Sequence, residues 1–333
     1  MREFRSILVT GGAGFIGSHL ARRLLNKHKN TKILNLDILT YAGNLDNIKD
    51  YQKHKNYDFI KGDINNYNLL QELFKTYSFD AIIHLAAESH VDNSIKDPFR
   101  FSKTNIQGTL NLLEASRNYW GNHSKEQCFY HISTDEVFGS LSQKGKFTEN
   151  SPYNPRSPYS ASKAASDHLV RAYFYTYGLP VLLSNCSNNF GPAQHSEKLI
   201  PRIIQNIVNI KKLPVYGKGE NIRDWLYVED HVEAIDLILH QGEIGETYYI
   251  GGNNERTNIH IVHELIKITD RLLNRPEGES KALISFVTDR LGHDFRYAID
   301  NSKIKNTIGW VPRTTFDKGL EQTVKYYLKK MNI

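Results

Sequence analysis

The sequence predicts an α/β protein: a doubly wound parallel sheet with helices on both faces, and a smaller lobe toward the C-terminal end. Three observations carry this expectation. Short apolar runs alternate with helical stretches over the first 187 residues, a glycine-rich turn joins the first run to the first helix, and the alternation loosens from Asn188 onward. Ser6–Thr10 (SILVT) reads as the first strand and Phe15–Lys27 as the first helix. Lys32–Asp37 (KILNLD), Tyr57–Lys61 and residues 81–85 (AIIHL) follow as strands, with a helix over residues 69–77 between the last two. Residues 105–119 read as a long helix, and strand-like runs recur at 127–133 and 180–186. Glycine, proline and polar residues dominate 188–223, and a helix-rich tail starts at residue 259. The first unit is therefore expected to span 1–187, with 225–252 returning to it, and the second 188–224 plus 253–333.

A chain of 333 residues has ample length for a real core, as one large domain or two lobes. Hydrophobic residues at 40% and charged residues at 23% place it among ordinary globular proteins rather than disordered ones. The net charge of +6 is spread along the chain, whereas a nucleic-acid binder would gather it in an arm or patch. The expected surface is mildly basic and suited to anionic small molecules. Cys128 and Cys186 both sit in apolar strand-like runs, a pattern for buried thiols in a reducing compartment. No stretch approaches a membrane span and the N-terminus runs straight into a strand, which predicts a cytoplasmic chain with no membrane partner.

Gly11, Gly14 and Gly17 form G-x-x-G-x-x-G directly after a strand and at a helix start. Glycine lets backbone N–H groups approach a pyrophosphate, and the helix N-terminus adds positive potential. Asp37 lies twenty residues after Gly17, at the end of the second strand; a carboxylate there accepts from both ribose hydroxyls and repels a 2′-phosphate, favouring NAD over NADP. Asp63 follows the third strand, within reach of an adenine amino group, although a helix cap is an equal reading for it. Leu85-Ala86-Ala87 follow the fourth, where small residues let a cofactor pass the backbone. Ligands collect at the carboxyl ends of such strands, so these positions agree on one pocket and make the sheet Rossmann-like. Arg22 and Arg23, inside the first helix, read as a solvated face.

Tyr159 and Lys163 stand four apart on a helical stretch and so share one face. An ammonium there can lower the phenol's pKa and make it a base near neutral pH. Ser133-Thr134-Asp135-Glu136-Val137-Phe138-Gly139, just after an apolar strand, sets two carboxyls side by side. Crowded carboxyls split their proton affinities, so one can serve as acid and the other as base. One site is thereby equipped for oxidation and for elimination. Among the 14 histidines no pair stands at metal-ligand spacing beside an open carboxylate, so no metal is expected. His84, in mid-strand, reads as a satisfied core residue, and Tyr173, Tyr175 and Tyr177 as packing or surface.

These residues resemble a known superfamily, the extended short-chain dehydrogenases/reductases that act on nucleotide sugars. TGGAGFIGSHL and Tyr-x-x-x-Lys are shared by its epimerases, decarboxylases and dehydratases. STDEVFG is similar to the nucleoside-diphosphoglucose 4,6-dehydratases, most closely the branch acting on dTDP-glucose; epimerases usually carry small or hydroxyl residues where Asp135 and Glu136 stand. Further similar blocks run nearly end to end, among them AAESHVDNSI, SNNFGPAQHSEKLIP, LPVYGKGENIRDWLYVEDH and DRLGHDFRYAID. Phe138 and Phe190 depart from the usual tyrosine and Leu291 from the usual proline, which puts in question the loop holding Arg290 and His293.

The resemblance implies NAD, tightly bound and regenerated at each turnover. Its expected contacts are Gly11, Gly14, Phe15, Ile16, Gly17, Asp37, Ile38, Leu39, Thr40, Asp63, Ile64, Leu85, Ala86, Ala87, Thr104, Tyr159, Lys163 and Asn189. It implies a nucleoside-diphosphate glucose, dTDP-glucose favoured, held by Ser89, Thr134, Asn188, Lys198, Leu199, Pro214, Val215, Tyr216, Arg223, Asn258, Arg290 and His293; the two arginines offer forked donors suited to phosphate oxygens. The proton at C-5 of glucose is not acidic until C-4 is a ketone. The implied catalytic group is Thr134, Asp135, Glu136, Tyr159 and Lys163. Tyr159 takes the C-4 hydroxyl proton as hydride passes to NAD+, with Lys163 lowering its pKa and bonding the nicotinamide ribose, and Thr134 hydrogen-bonding the same oxygen. Glu136 removes the C-5 proton, neutral Asp135 protonates the departing C-6 hydroxyl, and hydride returns to C-6. A homodimer through a four-helix bundle of residues 105–119 and the helix after Tyr159 is implied too. Two other readings stay open: an NAD-dependent nucleotide-sugar 4-epimerase, with no use for Asp135 and Glu136, and a non-enzymatic sugar-nucleotide sensor. UDP-glucose differs from dTDP-glucose by a methyl and a ribose hydroxyl, worth only about 1–3 kcal/mol per methylene-sized difference, so the base stays open as well.

Overall fold

A computed structural model of the chain describes residues 1–121 and 126–333. Its strands are β1 (Ser6–Thr10), β2 (Lys32–Asp37), β3 (Tyr57–Lys61), β4 (Ala81–His84), β5 (Cys128–Thr134), β6 (Val181–Cys186), β7 (Asn188–Phe190), β8 (Leu213–Tyr216), β9 (Ile222–Tyr227), β10 (Thr247–Ile250), β11 (Glu255–Thr257) and β12 (Ile284–Val287). Seven of them form one sheet in the order β10-β6-β5-β4-β1-β2-β3, every pair parallel. Strand order reverses between β1 and β4, which opens a crevice at their carboxyl ends. The α/β expectation holds: strands buried on both faces, as in the runs SILVT and AIIH, need helices on both sides to cover them.

The helices are α1 (Phe15–Lys27), α2 (Tyr67–Tyr77), α3 (Val91–Lys96), α4 (Pro98–Phe101), α5 (Gly108–Trp120), α6 (Pro158–Tyr177), α7 (Leu199–Val208), α8 (Val228–Gln241), α9 (Asn258–Leu272), α10 (Ser302–Ile308) and α11 (Phe316–Lys330). Side chains of α1 and α8 pack on one face of the sheet, through Leu20, Leu24, Ile235 and Ile238. Those of α2, α5 and α6 cover the other, through Leu70, Phe74, Leu112 and Val170. A separate apolar cluster joins α7, α9 and α11 to Phe190, Trp225 and Tyr227.

Helix α6 carries the Tyr-x-x-x-Lys pair, and its start is fixed locally. Ser157 and Ser160 form a reciprocal capping box, Pro158 occupies the first turn, and Gly178 ends the helix in left-handed backbone. Tyr159 is thereby held in the first turn, where α6 meets the end of β5.

Several boundaries differ from expectation. The helix expected from residue 105 begins as a π-turn, Ser102–Gln107, continuous with α4 and α5. That wide turn sets Thr104 against the crevice while Asn105 points inward to Ser162 and the Glu88 carbonyl. β10 pairs with β6, whereas β9 lies between β7 and β11 in a three-stranded sheet. Ile304 of α10 and Trp310 just beyond it pack into the large sheet's cluster. Their apolar side chains close the edge that β10 and α8 leave, a long-range fit with no local signature.

Candidate active site

The glycine turn after β1 leaves no room for a side chain at Gly11 or Gly17. Gly11 has φ +74°, and a Cβ there would lie 2.8 Å from the Ala86 nitrogen. A Cβ at Gly17 would lie 2.3 Å from the Gly11 carbonyl oxygen and 2.7 Å from Gly12 Cα, both backbone atoms that cannot yield. At Gly14, the residue before α1, the contact found is Gly11 O at 3.2 Å, so this glycine flanks a cradle open to a ligand. Asp37 is buried at the end of β2 and accepts from the N–H groups of Ala13 (3.0 Å) and Leu39 (2.8 Å). Burial raises its pKa and those two bonds oppose the rise. A cleft of about 440 Å³ runs from the cradle past Asp37, Ile38, Thr40, Asp63, Ile64, Leu85, Ala86, Ala87 and Thr104 to Tyr159, Lys163 and Asn189. Phe15 and Ile16 line it as well. The cradle, an acidic ribose-height residue and small backbone neighbours fit a dinucleotide. Leu39 is the correction: it does not line the cleft. Its backbone, at φ +57°, directs its N–H onto Asp37.

At the far end of that cleft β5 runs into a 3₁₀ turn, Asp135–Phe138. Thr134 Oγ1 accepts from the Glu136 N–H (3.3 Å) and caps the turn, so both carboxyls follow at once. Their surroundings differ. Asp135 is 1% exposed, and its Oδ2 has no hydrogen-bond partner among the described residues. Burial first, then the charges of Glu136 and Asp224, hold its carboxyl well above the usual range. Glu136 is half-buried and lies within the influence of three cations. Burial raises its pKa, while Lys198, Arg223 and Arg290 pull it down.

Tyr159 is buried beside this pair, and, contrary to expectation, its phenol is not lowered by Lys163. Burial and the nearby Glu136 charge push the phenol well above its ordinary value, with a hydrogen bond to Thr134 opposing. Lys163 lines the cleft as well, and its Nζ donates to the Ile132 carbonyl (2.9 Å) and lies 3.3 Å from His131 Nε2. Burial brings its ammonium down to about 8, against the pull of Asp167. Asp167, one helical turn beyond Lys163, is missing from the sequence reading. Its carboxylate accepts from Ser133 Oγ (2.8 Å), Tyr153 OH (3.0 Å) and Asn185 Nδ2 (3.2 Å), and His131 Nε2 lies 3.2 Å away. Spacing of four from Lys163 is the one signal that could have found it.

A second cleft, of about 400 Å³, adjoins the first and shares Glu136, Ser89, Asn188, Asn189 and Lys198 with it. It collects the rest of the expected substrate residues: Leu199, Pro214, Val215, Tyr216, Arg223, Asn258, Arg290 and His293. Thr134 lines the first cleft instead. Arg223 lies over the Tyr297 ring at 4.3 Å and donates to the carbonyls of Ile222, Phe295 and Asp294. Lys198 Nζ donates to Ser89 O (3.0 Å). Asp92, Tyr297 and Asp294 also line this cleft; all three lie in the quoted sequence blocks but are not singled out there, since each meets its arginine across the fold.

Elsewhere His84 is a core residue as expected, bonded to the hydroxyls of Thr10 and Thr109. Tyr173 bonds Glu114, while Tyr175 and Tyr177 are exposed. Arg22 and Arg23 are paired with Asp50 and Asp236, not freely solvated. The histidine reading needs amendment too. His28, Asp236 and His240 converge, because α1 packs along α8. The Asp236 carboxylate is filled by Arg23 Nε and Lys27 Nζ on one oxygen (both 2.9 Å) and His28 Nε2 on the other (2.7 Å), so the knot is an ion-pair cluster of protein groups. Phe138 and Phe190 sit in aromatic clusters where a hydroxyl is not needed, and Leu291 is 79% exposed.

Comparison with known proteins agrees with this geometry. The family model described as GDP-mannose 4,6 dehydratase matches residues 8–323. The dTDP-glucose 4,6-dehydratase of Haemophilus influenzae is 51% identical, over 97% of this chain and 98% of its own. Two solved structures are similar throughout. One is the Bacillus anthracis dTDP-glucose 4,6-dehydratase in complex with NAD, with 47% identity, TM-score 0.88, and 98% and 97% of the two chains covered. The other is DesIV, the dTDP-glucose 4,6-dehydratase of Streptomyces venezuelae, with NAD and TYD bound, with 42% identity, TM-score 0.91, and 98% of each chain covered.

Proposed function

Since the chain belongs to the family of dTDP-glucose 4,6-dehydratases, we propose that it is an NAD-dependent lyase converting dTDP-glucose to the 4-keto-6-deoxy sugar with loss of water. Residues 1–187 with 225–252 would hold the dinucleotide and most of the remainder the nucleotide sugar. NAD, seated on the Gly11–Gly17 cradle and Asp37, supplies a hydride acceptor at C-4 and a hydride donor at C-6. Tyr159 takes the C-4 hydroxyl proton, with Thr134 bonding the same oxygen and Lys163 orienting the site. Glu136, whose proton affinity burial raises while Lys198, Arg223 and Arg290 oppose the rise, removes the C-5 proton as a carboxylate once C-4 is a ketone. Asp135, kept neutral by its surroundings, protonates the C-6 hydroxyl as the C–O bond breaks. Arg223, Arg290 and Lys198 hold the diphosphate.

One observation carries this reading: of two adjacent carboxyls at the end of β5, Asp135 is buried with one oxygen unbonded among the described residues and held well above the usual range, whereas the rise at Glu136 is opposed by three cations. A 4-epimerase has no use for that contrast. Substrate labelled with deuterium at C-4 is expected to give product labelled at C-6, read by NMR; return of the label to C-4 with inverted configuration would establish the epimerase instead. Run with dTDP-, UDP- and CDP-glucose, the same assay should favour dTDP by roughly 10–200-fold in kcat/KM.

A cytoplasmic location and a homodimer through α5 and α6 extend the same reading. Among the described residues no helix is long and apolar enough to cross a membrane, and Tyr119, Tyr175 and Tyr177 on those two helices are exposed. Sedimentation at the mass of a single chain would remove the dimer.

A further inference from the structure

The segment leaving β4 touches both clefts. Ala86 and Ala87 line the first, and Ser89 and Asp92 meet cations of the second. Asp92 Oδ1 accepts from Arg290 Nε at 2.5 Å, and Oδ2 accepts from Arg290 Nη2 at 3.2 Å and from the Tyr216 hydroxyl at 3.3 Å. The Arg290 guanidinium lies over the Tyr216 ring at 5.2 Å. Three groups from three separate parts of the chain thus form one unit, and only one edge of the guanidinium fork is engaged by Asp92. A negative charge is the wrong sign for a cleft that receives a diphosphate. Its presence there calls for a geometric reason, and the bidentate pair supplies one: a long, flexible arginine gains a single orientation. Burial works against the Asp92 carboxylate, and the bonds from Arg290 outweigh it, holding it below the usual range.

We propose that Asp92 is a positioning residue: it fixes Arg290 so that the free edge of the guanidinium faces the diphosphate of the nucleotide sugar. This rests on the reading above that Arg290 binds that diphosphate. The two roles of a carboxylate here predict opposite signs. As a mere neighbouring charge, Asp92 repels the ligand, and its neutralisation tightens binding. As a positioner, it pre-organises the arginine, and its neutralisation weakens binding.

The test is Asp92→Asn in the NAD-loaded enzyme. Its dTDP affinity by calorimetry is expected to fall about 10- to 100-fold, the range for a bond to a charged group. KM for the nucleotide sugar should rise far more than kcat falls. Asp92 is partly exposed, so the variant should keep the melting temperature of the parent. Unchanged or tighter dTDP binding would overturn the proposal. Arg290→Gln is the control. If it leaves dTDP affinity unaltered, the diphosphate reading of Arg290 itself fails. If it weakens binding and Asp92→Asn does not, the diphosphate reading stands and the positioning role falls. In the Arg290→Gln background Asp92→Asn should add no further loss, because its effect passes through the arginine; a full additional loss would also overturn the proposal.

Discussion

Exchanging Glu136 for glutamine is expected to abolish release of the 4-keto-6-deoxy product while dinucleotide stays bound. The two side chains have nearly the same shape, so the 3₁₀ turn and its Thr134 cap have no reason to move. The amide cannot take a proton from C-5, and loss of a positioned general base costs about 10²–10⁴-fold in rate. Oxidation at C-4 precedes this step and depends on Tyr159, so rapid-quench analysis should find the C-4 ketone accumulating to at most one equivalent. Exchange of the C-5 proton with deuterated solvent should vanish. The pH profile adds a sign. Glu136 acts as an anion and its pKa is raised, so parent activity should fall as pH drops through a value above the ordinary glutamate range. The variant should lack that acid limb. Normal turnover, or C-5 exchange that persists, would remove Glu136 from the role.

The parts of this site that sequence reveals are those in which chemistry and chain neighbours coincide. A phosphate cradle is built from consecutive backbone groups, so Gly11, Gly14 and Gly17 announce it, and Asp37 stands at a spacing set by one helix and one strand. Asp135 and Glu136 are adjacent, and Tyr159 and Lys163 one helical turn apart. What escaped is what the fold assembles at long range. Arg290 is legible, but its pairing with Asp92, 198 residues away, is not, and Asp167 gathers partners from β5, β6 and the loop bearing Tyr153. Even within the legible motif, the direction of Lys163 depends on the Ile132 carbonyl and His131, and the phenol's proton affinity on how deeply β5 and α6 bury it. His28, Asp236 and His240 meet only because α1 lies along α8. Local spacing identifies which groups are present; burial and distant charge decide what each of them does.

The partner carboxyl should fail differently. Asp135→Asn is expected to slow product formation by about 10²–10⁴-fold, yet to leave C-5 exchange with solvent intact, because Glu136 remains in place. A hydroxyl departs poorly as hydroxide. The neutral acid of the parent can protonate it during C–O cleavage, whereas an amide can only hydrogen-bond to it. Asp135 suits this task because burial, Glu136 and Asp224 hold its proton, and the opposing pull of Arg223 is the weaker effect. Parent activity should therefore decline on the alkaline side as Asp135 loses its proton, and the asparagine variant should lose that part of the decline, leaving the contribution of Lys163, which titrates near 8. The leaving group supplies the decisive check. Fluoride departs without a proton, so a substrate with fluorine in place of the C-6 hydroxyl should restore much of the lost rate in Asp135→Asn and none in Glu136→Gln. Equal slowing with both substrates would mean that Asp135 supports the turn's geometry and delivers no proton.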